Sequence, residues 1–176
     1  MIFDKTVYIG DVINLLSICL VVAGGIFGFI QWKNSLKMKR AEYINELTEK
    51  IRTDEDMRDV VYIIDYNSDW YDAAFHNGGE IERKMDKTLS YFSYICYLHK
   101  NNVLKEKEFD FFKYEIKRIL INKQIQNYFY NLYHFAKKCG EPITFIYLFE
   151  YGQRLNLFDK EFFNSRSKNY IHILNF

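Results

Sequence analysis

Residues Val12–Ile30 read VINLLSICLVVAGGIFGFI, nineteen positions without a charge. At about 1.5 Å per helical residue, such a run is long enough to cross a hydrocarbon core of about 30 Å. It predicts a transmembrane helix. The run is not uniformly apolar. Asn14, Ser17, Val21, Gly24, Gly28 and Gln31 follow one another at steps of three, four, three, four and three. This is a heptad seam, polar or small nearly throughout, and it lines one face of the helix. The other faces carry Ile13, Leu15, Leu16, Ile18, Leu20, Val22, Ile26, Phe27 and Ile30, which suit lipid. In a bilayer, helices associate through small residues and interhelical hydrogen bonds, and Gly24 with Gly28 forms a GxxxG pair. The seam predicts a homo-oligomer, a tetramer being one arrangement, whose polar stripe lines a shared path. A helix of ordinary membrane composition, with Asn14 at the headgroups, is the plainer reading of the same residues.

The flanks set orientation. Asp4, Lys5 and Asp11 precede the run, and Lys33, Lys37, Lys39 and Arg40 follow it. Positive residues stay inside, so the C-terminal part is expected in the cytoplasm, with Trp32 at the inner interface and Tyr8 near the outer one. A cleaved signal peptide fits poorly, because the run is long for its apolar region and Gln31-Trp32-Lys33 is a poor cleavage context. The segment is expected to be retained.

Downstream the composition is that of a soluble helical bundle. Net charge is +1, so no global basic field points to nucleic acid; aromatics reach 19%, and proline occurs once. Cys19, Cys96 and Cys139 have no disulfide or metal spacing and suit a reducing compartment. Lys33 to Ile51 lacks glycine and proline, so the first helix is expected to run from about residue 11 to 52, some 60 Å. The resulting organisation is a short extracytoplasmic segment (1–11), the membrane helix (12–31), a helical stalk (32–52) and a cytosolic helical domain (53–176). The fold class is all-α.

Within that domain Thr53 reads as an N-cap, with Asp54, Glu55 and Asp56 in the first turn. Met57, Val60, Val61 and Ile64 form the apolar face. Residues 67–78, with Asn67, Ser68, Asp69, Asn77 and Gly78, read as a loop, yet Trp70, Tyr71 and Phe75 should hold it down. Helices are expected over about 80–100, 105–121 and 123–139. Their inward stripes are Ile81, Met85, Leu89, Phe92 and Cys96; then Phe109, Phe112, Ile116 and Ile119; then Ile125, Phe129, Leu132 and Ala136. Gly140 suits a C′ position, and Pro142 the first turn of a last helix ending near Gly152. A helical turn follows Asp159, and 165–176 has no periodicity.

A search for chemistry finds no metal-ligand spacing among His76, His99, His134 and His172, no phosphate loop and no nucleophile elbow. No enzyme and no cofactor is expected. Asp65, Asp69 and Asp72 read as solvated acids before a metal site. One surface merits attention as a ligand site: Lys113, Lys117, Arg118 and Lys123, continued by Tyr128, Tyr130, His134, Lys137 and Lys138. Cations neutralise phosphates and rings stack on bases, which makes a nucleotide or single-stranded oligonucleotide the candidate ligand. A solvated helix face with its rings in the core is the alternative.

An uncharged N-terminal span leads into Arg40-Ala41-Glu42-Tyr43-Ile44-Asn45-Glu46-Leu47. Thr53-Asp54-Glu55-Asp56-Met57-Arg58 follows, and later Ser90-Tyr91-Phe92-Ser93-Tyr94-Ile95-Cys96-Tyr97-Leu98. This pattern, through about residue 152, resembles short bacterial single-pass membrane proteins with a helical cytosolic domain, among them anti-phage membrane effectors of the Hailong type. The resemblance implies an oligomeric channel-like effector of the inner membrane, held closed by a nucleic-acid oligomer that a partner nucleotidyltransferase makes. It carries over no binding residues. Two functions are therefore in view: such an effector, or a passive anchored module that tethers a partner protein.

Overall fold

The computed structural model describes residues 9–66, 69–72 and 74–176. The expectations for Asp4, Lys5, Tyr8, Asn67 and Ser68 lie outside the described residues. The described residues are helical, with no strand: α1 (Ile9–Thr53), α2 (Glu55–Asp65), α3 (Glu80–Lys100), α4 (Glu106–Ile121), α5 (Lys123–Cys139) and α6 (Ile146–Arg154). Two 3-10 turns, Lys160–Phe163 and Ile171–Ile173, follow.

The chain divides into two units, Met1–Glu46 and Leu47–Phe176. In the first, every described residue up to Glu42 is exposed. An 18-residue window of α1 has a mean hydropathy of 2.3 and is 0% buried, so α1 is long and apolar enough to cross a membrane. No break falls between residues 31 and 32, where anchor and stalk were set apart: the helix is continuous.

In the second unit, α3 is the axis. It buries Met85, Thr88, Leu89, Tyr91, Phe92, Ser93, Ile95, Cys96 and Leu98, which is more than one face. It packs against α2, α4 and α6. Lysines of α3 clamp α2: Lys84 reaches Asp59 at 2.8 Å, and Lys87 reaches Asp54 at 2.8 Å and Asp56 at 2.7 Å. Tyr91 donates its hydroxyl proton to the Leu47 carbonyl. Burial of Phe109, Phe112 and Ile116 from α4 and of Ile125 and Phe129 from α5 completes an aromatic core.

The structure corrects several expectations. Thr53 ends α1 and returns its hydroxyl to the Glu49 carbonyl at 3.1 Å, while Asp54 is the cap of α2, accepting from the Met57 amide at 3.2 Å. One residue thus separates two helices, because a carboxylate caps as well as a hydroxyl and Asp54 also meets Lys87. Val61 and Leu132 are half-buried rather than core, and Ile81 is exposed at the edge of α3. The last helix does not start at Pro142. Gly140 caps α5 in the left-handed region at φ 73°, and Phe145, at φ 59°, delays α6 to Ile146. The apolar run 143–149 has no single period, so Ile143 and Phe145 are buried outside a helix.

Nor does Gly152 end α6; it lies inside it, buried. A Cβ there would sit 2.7 Å from Phe158 and 3.1 Å from Leu120. Glycine is present because the 157–163 segment crosses α6 against bare backbone. Gly152→Ala is expected to lower stability by about 2 kcal/mol despite alanine's better helix propensity, read from urea unfolding. An unchanged or raised midpoint would show that Phe158 moves aside freely.

The final stretch lacks periodicity and is nonetheless anchored. Tyr170, Ile173 and Ser167 are buried. One face of α5 grips it: Lys123 donates to the Tyr170 hydroxyl at 3.0 Å, Tyr130 to the Asn164 carbonyl at 2.8 Å, and Asn131 to the Ile173 carbonyl at 3.2 Å.

Candidate functional site

Asn14, Ser17, Val21, Gly24, Gly28 and Gln31 keep to one side of α1. At about 100° per residue they occupy an arc of about 100° on a straight helix. Ser17 donates its hydroxyl proton to the Ile13 carbonyl at 2.9 Å, so it needs no outside partner. The amides of Asn14 and Gln31 have none among the described residues. A Cβ added to Gly24 or Gly28 would meet nothing within 4 Å. Interior helix glycine is unfavourable by about 1 kcal/mol relative to alanine, so two glycines here are unexplained by their own chain.

The basic residues of α4 and α5 are not gathered into one surface. Lys113 is bound to Glu106 and, at 2.7 Å, to Asp110 near the start of α4. Lys137 and Lys138 are at the far end of α5, where Lys138 lies over the Phe176 ring at 4.9 Å. Lys117 is exposed on α4. Arg118 and Lys123 alone of the six share a cleft, of about 400 Å³, with Ile64, Asp65, Ile121 and Asn122. Arg118 is engaged there by Asp65 at 2.7 Å and Glu115 at 2.8 Å. Lys123 lies over the Tyr170 ring at 4.2 Å. With Asp65 in the lining and Glu115 behind Arg118, the two cations are offset by two carboxylates.

The rings that followed the basic residues in sequence are core residues. Tyr128 donates to Asp86 at 2.5 Å, and the His134 Nε2 lies 2.9 Å from the Phe162 carbonyl. Burial lowers the His134 pKa, which favours the neutral imidazole, and because a carbonyl only accepts, Nε2 carries the proton in that bond.

Asp65, at the end of α2, and the loop acids Asp69 and Asp72 have separate partners. Asp65 binds Arg118, Asp69 accepts from Gln124 at 2.7 Å, and Asp72 accepts from the Ala74 amide at 2.8 Å. No group of three potential metal ligands occurs among the described residues. Burial pushes the Cys96 thiol up to about 12.

One polar cluster went unread in the sequence. Tyr71 and His76 from the 69–79 loop meet Asn131 of α5: Asn131 Nδ2 donates to the Tyr71 hydroxyl at 2.8 Å, and that hydroxyl lies 3.1 Å from His76 Nε2. His76 Nδ1 lies 3.5 Å from Glu82. Burial raises Tyr71 to about 12, so its hydroxyl keeps its proton, and the imidazole tautomer sets the direction of its bond to His76. Beside it burial raises the Asp86 pKa, against the lowering effect of the Tyr128 hydrogen bond. Trp70, Phe75 and Tyr128 wall the cluster. Its bonds to α5 join residues 42 to 60 positions apart, so no local spacing announces it. It is a satisfied network that holds a loop down. Compared with models of protein families, with curated proteins and with solved structures, the chain matches none.

Proposed function

We propose that this chain is a membrane effector whose copies assemble through α1 into an ion-conducting homo-oligomer. The helix crosses the bacterial inner membrane once, and Lys33, Lys37, Lys39 and Arg40 keep the helical bundle in the cytoplasm. Gly24 and Gly28 let the backbones approach, while Asn14 and Gln31 bond across subunits or meet water in the shared path. The bundle gates that path on a nucleotide or oligonucleotide ligand. The Hailong-type resemblance supports this gating and an anti-phage role, with a partner nucleotidyltransferase as source of the ligand.

The observation that carries the reading is the seam. It holds two glycines that touch nothing and two amides with no partner among the described residues. A passive tether uses lipid-facing residues and has no need of Asn14, Ser17 and Gln31 on one side.

Anchoring and orientation are tested with reporters fused after Phe176. An enzyme that works only in the cytosol should be active there, and a periplasm-only reporter should be silent. Activity of the periplasmic reporter would overturn the topology, and cytoplasmic gating with it.

A further inference from the structure

Between Asp11 and Glu42 the chain carries no acidic residue, and its cations there are Lys33, Lys37, Lys39 and Arg40, just past the apolar run. All four are exposed. Lys33, Lys37 and Lys39 have no ion pair among the described residues. The inner end of a membrane helix attracts positive residues, but that preference is counted over a whole flank and takes no account of faces. Here three of the four share one face. At about 100° per residue, Lys33, Lys37 and Arg40 fall within an arc of about 60°. In the heptad frame whose a and d positions are the seam, they occupy f, c and f, on the far side of α1. Lys39 falls at e, beside the seam.

Their depth is that of lipid phosphates. Each headgroup layer is about 5–8 Å thick beyond the hydrocarbon core. Along the axis Lys33 lies about 4.5 Å past Ile30, Lys37 about 10 Å and Arg40 about 15 Å. Helical side chains tilt toward the N-terminus, which is the membrane end of this segment. The long side chains of Lys37 and Arg40 therefore lead back to the headgroups. Phe29 and Trp32, exposed rings 5.9 Å apart, mark the boundary that the cations follow. Ammonium and guanidinium groups placed there, with no carboxylate of their own segment to neutralise them, are drawn to anionic headgroups.

We propose that Lys33, Lys37 and Arg40 form a binding face for anionic phospholipids, whose headgroup phosphates neutralise it in the bilayer. It rests on the reading of α1 as a membrane helix, and not on assembly through the seam, which lies on the other side.

The test places the full-length protein in vesicles of phosphatidylcholine and phosphatidylglycerol and reads quenching of Trp32 by brominated acyl chains. Two preparations share one headgroup composition. The brominated lipid is the phosphatidylglycerol in one and an equal amount of phosphatidylcholine in the other. Trp70 is the other tryptophan, so the fluorescence lost in Trp32→Phe is the share to follow. Brominated phosphatidylglycerol should quench Trp32 about twofold or more above brominated phosphatidylcholine. Salt at about 1 M, where the Debye length is about 3 Å, should abolish the excess. Lys33→Gln, Lys37→Gln and Arg40→Gln combined should abolish it too, while Lys39→Gln should keep it. Quenching by phosphatidylcholine persists in every variant that stays inserted, so lost insertion is not mistaken for lost selection. Equal quenching by the two lipids in the wild type overturns the proposal and leaves the membrane helix standing. An excess that survives the triple change, or that Lys39→Gln removes as fully, also overturns it, since the face would then not set the selection. Quenching by neither lipid overturns the membrane reading itself, and the proposal with it.

Discussion

Gly28→Leu should reduce the α1 assembly to monomers in lipid nanodiscs. Leucine is the better helix former by about 0.8 kcal/mol, and no atom of the chain lies within 4 Å of the added Cβ. The isolated helix therefore gains from the change, and any loss must come from between copies. There the leucine side chain replaces the backbone contact that GxxxG pairs provide. Asn14→Leu should weaken the assembly by a further margin, about 1 kcal/mol for each interhelical hydrogen bond lost. Ile18→Ala and Ile26→Ala, outside the seam, should leave it unchanged. Subunit counting by native mass spectrometry reads all four. Each variant must reach the membrane at wild-type level, because failed insertion would mimic failed assembly. Seam variants that assemble like wild type would reduce the stripe to an accident of composition.

Asn131→Ala should cost the bundle about 3 kcal/mol. Asn131 is buried, and its Nδ2 serves the Tyr71 hydroxyl at 2.8 Å and the Ile173 carbonyl at 3.2 Å. Truncation leaves both without that donor, and a buried group deprived of its partner is destabilising by about 1–3 kcal/mol. The two bonds run to different segments, the 69–79 loop and the C-terminal tail. Hydrogen exchange should therefore quicken in both together, while α3 keeps its protection. A loss below about 1 kcal/mol, or a tail that stays protected while the loop opens, would show that Asn131 does not join them.

The all-helical architecture was legible because each helix carries its own signals. Breaks at Asn101-Asn102, Asn122 and Gly140, with inward stripes such as Phe109, Phe112, Ile116 and Ile119, place α3 to α5 within a residue of their observed ends. The start of α6 was hidden, since the apolar run around Ile143 gives no period and Phe145 adopts a left-handed conformation seldom seen for a bulky residue. Gly152 looked like a helix stop because the segment that presses on it is remote in sequence.

The placement of Asn14, Ser17, Val21, Gly24, Gly28 and Gln31 on one side of α1 was legible, being a matter of spacing along one helix. The basic surface was not. Sequence shows where cations fall along a helix, and it does not show that Arg118 is held by Asp65 or that Tyr128 and His134 point inward. The Tyr71–His76–Asn131 cluster depends on tertiary pairing alone.

The central claim, an assembly of this chain that conducts ions, is tested most directly by ion flux from proteoliposomes holding the purified full-length protein without ligand. If the bundle is held closed by a bound oligomer, the ligand-free protein is open. Wild-type vesicles should then leak potassium, Ile18→Ala vesicles should match them, and Gly28→Leu and Asn14→Leu vesicles should stay tight. Wild-type vesicles that hold their potassium gradient, with insertion of the protein verified, would contradict the account and leave α1 a passive tether.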